Sequence, residues 1–103
     1  MNTIVKVSDI TYTDVADYIR LTEDLAEDED NIAFITSTIG IAKAYISNYT
    51  GVPEDELDNY GDLPIVVFAL CQDMYDNRSL YVDNTNLNKM VETILGMHQR
   101  NLL

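Results

Sequence analysis

The sequence predicts a small all-α domain, a four-helix bundle-like fold that spans residues 1–103. Apolar residues recur at helical spacing in four separate segments of the chain. Helix start and stop signals bracket several of these segments. The length of 103 residues, of which 47% are hydrophobic, fits one compact domain, because domains typically hold about 100–150 residues. We therefore expect a single domain with a modest apolar core.

The second predicted helix, over residues 30–50, has the strongest signals. Gly51 follows its last periodic residue and Pro53 comes soon after, a pattern typical of a helix end. Its main apolar stripe lies on one face at 100° per residue and consists of Ile32, Ile35, Ile39, Ala42, Ile46 and Tyr49. A second stripe, about 120° away at that same spacing, consists of Phe34, Ile41 and Tyr45. Together the stripes cover more of the helix than a surface helix needs.

The third predicted helix covers residues 62–78, with Asp62 as N-cap and Pro64 in the first turn, where proline is tolerated. Residues 65–71 are apolar on every side, and their composition alone would also suit a strand. Residues 72–76 continue a helical pattern, which favours the helix. A helix that is apolar all round is expected to be buried all round.

Two further helices complete the predicted bundle, one over residues 11–21 and one over residues 86–98. The first has Thr11 as N-cap and Asp14 in the position of a capping-box partner. The last is amphipathic. Its apolar face consists of Leu87, Met90, Val91, Ile94, Leu95, Met97 and His98.

The charge is large and unevenly placed. The formal net charge is −12, and residues 1–62 hold 14 acidic residues against 3 basic ones. Most of these acids fall in two blocks, 23–30 and 54–62, which we interpret as solvated loops or helix starts. Gripping nucleic acid needs clustered lysine and arginine, which this sequence lacks. The charge also argues against an anionic membrane surface.

The sequence offers little for catalysis, metal binding or targeting, so we expect no enzyme activity, no cofactor and no metal. Cys71 and His98 are the one conceivable nucleophile–base pair, but both lie on apolar surfaces of predicted helices. Residues 28–33 begin like a calcium-binding loop. Ile32, however, stands where the third ligand belongs and Ala33 stands where the glycine is required, so the pattern fails. No secretory signal or membrane-spanning run is present, which predicts a soluble, intracellular protein.

The surplus apolar surface of the second helix leaves two interpretations. In one, the second and third helices are central in the bundle and cover each other. In the other, Phe34, Ile41 and Tyr45 pack against another subunit, because wide apolar arcs on small domains often mark interfaces.

Two motifs at the ends of successive helices carry a resemblance to a known family. The first is Tyr-Ile-x-Asn-Tyr-Thr-Gly at residues 45–51, and the second is Met-Tyr-x-Asn-Arg at residues 74–78. With the order of the predicted helices over residues 10–100, they resemble the phage head–tail connector proteins, also described as DNA-packaging or head-completion adaptors.

This resemblance implies a structural virion protein without enzymatic activity. Members of the connector family form a homo-oligomeric ring, generally dodecameric, beneath the portal protein, and a tail or stopper protein binds the other side of the ring. Double-stranded DNA passes through without sequence-specific binding, and an acidic channel would let it slide. The implied location is the head–tail junction of the virion, with assembly in the host cytoplasm.

The family motifs also suggest roles for individual residues. Tyr45 and Tyr49 are expected to pack the second helix onto the third, and Tyr75 to do so from the other side. Arg78 is expected either to satisfy the last carbonyls of its helix or to pair with an acid of a neighbouring subunit. Gly51 and Asn77 complete the family-motif packing set.

An acidic DNA mimic, or another small interaction module that inhibits a host DNA-binding enzyme, is the alternative function. A mimic needs carboxylates spaced like phosphates along one face. The two separate acidic blocks count against it.

Overall fold

The computed structural model describes residues 6–99, and within that range the regular structure is helical, with no strand. The predicted all-α fold is therefore confirmed. The elements are a 3₁₀ helix Val7–Asp9, α1 Tyr12–Ile19, α2 Glu23–Ala26, α3 Glu29–Thr50, a second 3₁₀ helix Glu54–Asn59, α4 Leu63–Asn77 and α5 Lys89–His98.

The central feature is the pair formed by α3 and α4, which make the most extensive helix–helix contact in the described chain. Phe34, near the start of α3, meets Tyr75, near the end of α4, so the two helices run antiparallel. With 22 residues, α3 is about 33 Å long. Both α1 and α5 pack against this pair.

Helix α3 begins and ends for local reasons that the sequence shows. The carboxylate of Asp28 accepts a hydrogen bond from the backbone N–H of Asn31, which caps the first turn. Gly51 ends the helix with φ 77°, and its N–H donates to the carbonyl of Ser47. Only glycine adopts this left-handed conformation readily, so the predicted stop at Gly51 is confirmed.

Burial on α4 follows the prediction with one exception. Ten of its residues are buried, among them Val66, Val67, Leu70 and Met74. Ile65 is the exception, with 45% of its surface exposed. The helix is therefore enclosed on most sides rather than on all of them.

The outer helices are shorter than predicted. Helix α1 has the predicted capping box between Thr11 and Asp14, but it ends at Ile19, because Arg20 turns left-handed with φ 65°. Helix α5 begins at Lys89 rather than residue 86, because the side chain of Asn88 accepts from the N–H of Met90.

Both acidic blocks hold helix starts, one of their two interpretations, and each contains a short helix. Residues 23–26 form α2, capped by the hydroxyl of Thr22. Residues 54–59 form the second 3₁₀ helix, which the fully buried Leu57 anchors to the core. The blocks precede and follow α3, so they lie at its opposite ends.

Candidate functional site

The second stripe of α3 is neither fully exposed nor fully covered. Phe34, Ile41 and Tyr45 are each half-buried and pack against the apolar core of their own chain. One of the two interpretations placed α3 and α4 at the centre of the bundle, and the fold has this arrangement. The subunit contact of these three residues stays a prediction.

The end of α4 forms a column of three side chains. The ring of Phe34 meets the ring of Tyr75 edge-on, with centroids 6.3 Å apart and planes inclined at 72°. The guanidinium of Arg78 lies 4.1 Å from the centroid of the Tyr75 ring, a cation–π arrangement. Tyr75 therefore joins α4 to α3 as predicted, and Arg78 covers its outer side.

Arg78 also ends α4, but through its backbone. Its conformation is left-handed with φ 51°, and its N–H donates to the carbonyls of Met74 and Tyr75. Arg78 therefore satisfies the last carbonyls of its helix, as expected, but through its backbone, while its side chain lies on Tyr75. Asn77, the last residue of α4, is exposed.

At the other end of α3, two tyrosines form a shallow pocket. The rings of Tyr45 and Tyr49 lie 5.9 Å apart, and the pocket of about 380 Å³ is also lined by Asn48, Asn84, Leu87 and Glu92. The tyrosines thus face α5 and the segment before it, and their packing onto α4 stays a prediction. Burial raises the pKa of Tyr45, and the neighbouring Tyr49 and Glu92 raise it further.

Hydrogen bonds fix the backbone that follows the first motif. The buried hydroxyl of Thr50 donates to the carbonyl of Ile46 at 2.7 Å and accepts from the N–H of Val52 at 3.2 Å. The hydroxyl of Ser47 donates to the carbonyl of Val52 at 2.7 Å. Because α3 and α4 run antiparallel, the two motifs, each at a helix C-terminus, lie at opposite ends of the α3–α4 pair.

Cys71 and His98 do not form a catalytic pair. Cys71 is fully buried, and burial raises the pKa of its thiol to about 11, so the nucleophilic thiolate is suppressed. The Nε2 atom of His98 lies 2.7 and 2.9 Å from the carboxylate oxygens of Asp62. Asp62, which directly precedes α4, lies nine residues before Cys71, a rise of roughly 13 Å along the helix. His98 is therefore held far from the thiol.

The contact with His98 also corrects the predicted cap of α4. Asp62 occupies the N-cap position, but its side chain makes no capping hydrogen bond. Its carboxylate joins the end of α5 to the start of α4, with the ring of Tyr60 against His98 at a centroid distance of 4.6 Å.

The described part of the chain shows no candidate metal centre. Within residues 6–99, no group of three or more His, Cys, Asp or Glu side chains could hold a metal ion. None of the helices described there combines the length and apolar character that crossing a bilayer requires.

The sequence did not predict two further contacts. The hydroxyl and N–H of Ser8 donate to the carboxylate of Asp58 at 2.6 and 2.9 Å, which joins the two 3₁₀ helices. The ring of Tyr18 on α1 stacks on Phe68 of α4 at 5.1 Å, with planes inclined at 13°. Both pairs are 50 residues apart in the chain, so no local pattern could have indicated them.

A comparison with protein-family models, curated proteins and solved structures finds no match to this chain.

Proposed function

We propose that this protein is a structural adaptor of a tailed-phage virion that forms a closed ring between the portal and the tail. Double-stranded DNA passes through the ring, and a tail or stopper protein binds its far side. The all-α fold, the left-handed glycine at the end of the first motif and the aromatic contact of the second motif support this proposal. The last two are local features of the motifs themselves, which end α3 and α4.

The observation that carries the assembly argument is an exposed cluster after α4, which we define as Arg78, Leu80 and Tyr81. Tyr81 is 63% exposed and Leu80 is 49% exposed, and Arg78 is exposed beside them. Two large exposed apolar side chains next to an arginine are unusual on a domain of net charge −12. Large exposed apolar side chains that are grouped together indicate a protein contact.

A ring is the assembly that best uses such a cluster. In a ring, each subunit presents one surface to its neighbour on one side and a different surface to the neighbour on the other. The exposed cluster is one such surface, and the half-buried second stripe of α3, with Tyr45 at its far end, supplies residues for the other. Acidic groups of the neighbouring subunit would pair with Arg78.

The distribution of charge suits a channel that does not hold DNA. The acidic blocks lie before and after α3, and the described basic residues are scattered. Such a surface neutralises few phosphates, so DNA would be repelled rather than bound. A DNA mimic needs carboxylates in a continuous row on one face, which two separated blocks do not provide.

The experiment is to measure oligomer mass by mass photometry, and to image the same samples by negative stain, with and without portal protein. We expect wild-type rings, and a lower assembled fraction for Tyr81→Ser. The matched control is Met97→Ser, because Met97 is similarly exposed at 66% but lies at the end of α5. Equal loss of assembly in both variants would contradict the assignment of the cluster.

A further inference from the structure

A pocket of about 270 Å³ lies between α1 and α4, away from the motif residues, and is lined by Asp14, Asp17, Tyr18 and Phe68. Its apolar part is the stacked pair of Tyr18 and Phe68. We propose that this pocket binds an arginine side chain from a basic segment of another protein, with the guanidinium against Tyr18 and its charge at the two aspartates.

The aromatic pair gives the pocket a flat and accessible apolar surface. Phe68 is buried beneath Tyr18, whose surface remains 40% exposed. Since Phe68 covers one ring face, the exposed surface of Tyr18 lies on its edge and other face. Ile65, one turn before Phe68 on the same side of α4, is also exposed and extends the apolar surface.

The carboxylates determine the charge of the occupant. One oxygen of Asp14 accepts from the N–H and hydroxyl of Thr11 in the capping box, which leaves its other oxygen available. Asp17 is exposed and makes no ion pair within 4 Å among residues 6–99. Arg20, three residues on, forms none either in that part of the chain. The pocket therefore presents unpaired negative charge beside an aromatic ring.

An arginine fits this combination better than other side chains. Its planar guanidinium stacks on aromatic rings and also donates to carboxylates, whereas an aliphatic side chain would leave the carboxylates unused. A second copy of this chain is a poor source of a basic segment, because its six lysine and arginine residues are scattered along the sequence. Charge complementarity thus favours a basic partner of different sequence.

The test uses the full-length protein and the peptide acetyl-Gly-Arg-Gly-Arg-Gly-amide, followed by NMR. We expect the Tyr18 ring signals to shift saturably with this peptide, and not with a peptide that has glutamine in place of both arginines. Asp17→Asn should weaken binding about two- to fivefold, as expected for a surface ion pair. Tyr18→Leu, followed through the ring signals of Phe68, should weaken it by a similar factor through the lost cation–π contact.

The matched control is Asp24→Asn, which removes the same charge from an exposed residue of α2 and should leave binding within error. Chemical shifts of the buried Val15 and Leu70 verify that each variant is folded. Equal weakening by Asp24→Asn would overturn the proposal, because binding would then follow overall charge. Tyr18 signals that shift on concentrating the protein alone, but not with the peptide, would also overturn it, because a second copy would be the occupant.

Discussion

The centre and the periphery of this domain are held together by different forces. Between α3 and α4, fully buried apolar side chains such as Ile46 and Leu70 form the core. At the periphery, the first 3₁₀ helix is tied to the second by Ser8 and Asp58, and the end of α5 is tied by His98 to Asp62. Packing therefore determines the frame, and the outer segments add carboxylate contacts to their own buried side chains, such as Leu57 and Leu95.

The largest expected effect comes from a cavity in the centre. Leu70→Ala should lower the free energy of unfolding by about 3 kcal/mol, because it loses buried apolar surface and leaves a void. Urea denaturation measures this loss. Leu25→Ala is the matched control, since Leu25 is 45% exposed and should change stability by less than about 0.5 kcal/mol. Equal effects would remove the distinction between centre and periphery.

A smaller effect is expected at the end of α3. Gly51→Ala should cost about 1–2 kcal/mol, because an L-residue is strained at the left-handed φ of 77°. Gly40→Ala is the control within the same helix, where an added Cβ meets nothing within 4 Å. It should stabilise the protein by about 0.5–1 kcal/mol through higher helix propensity. Thermal denaturation of both variants should therefore show shifts of opposite sign.

The smallest effect concerns the periphery and depends on pH. Hydrogen bonds from Ser8 lower the pKa of Asp58, with smaller contributions from Lys6 and Lys43. A lowered pKa in the folded state adds stability above the unfolded value of about 3.9, which is lost as pH falls through the folded value. We expect Ser8→Ala to raise the pKa of Asp58 towards its ordinary value, as measured by an NMR titration of the carboxyl group.

Ser37→Ala provides the control for this titration, because Ser37 bonds only within α3, to the carbonyl of Ala33. It should leave the Asp58 titration unchanged. A titration of Asp58 that is the same in wild type and in Ser8→Ala would contradict the role of the Ser8 contact.

Much of the frame could be predicted from the sequence, because its signals are local. The capping box at Thr11 and the left-handed stop at Gly51 depend on residues within a few positions. Helical periodicity predicted the four buried members of the α3 stripe, Ile35, Ile39, Ala42 and Ile46, while Ile32 and Tyr49 are only half-buried. Helix α2 escaped prediction, because four residues are too few to show a period. The pairing of His98 with Asp62 spans 36 residues, which no local pattern encodes.

In the candidate site, too, some contacts could be predicted from the local sequence and others could not. The contact of Tyr75 with α3 was predictable, because a residue on the apolar side of α4 must meet the neighbouring helix. The placement of the Arg78 side chain on the Tyr75 ring was not predictable. The backbone N–H of Arg78 caps the last carbonyls of α4, which leaves the side chain free to lie on the ring. Subunit contacts depend on a second chain, so neither sequence nor single-chain geometry determines them.

Ring assembly is tested by negative-stain imaging of the purified wild-type protein together with portal protein. The proposal predicts closed rings with a central channel, seated on the portal, and a matching mass by mass photometry. Monomers alone, at high concentration and with portal present, would contradict it.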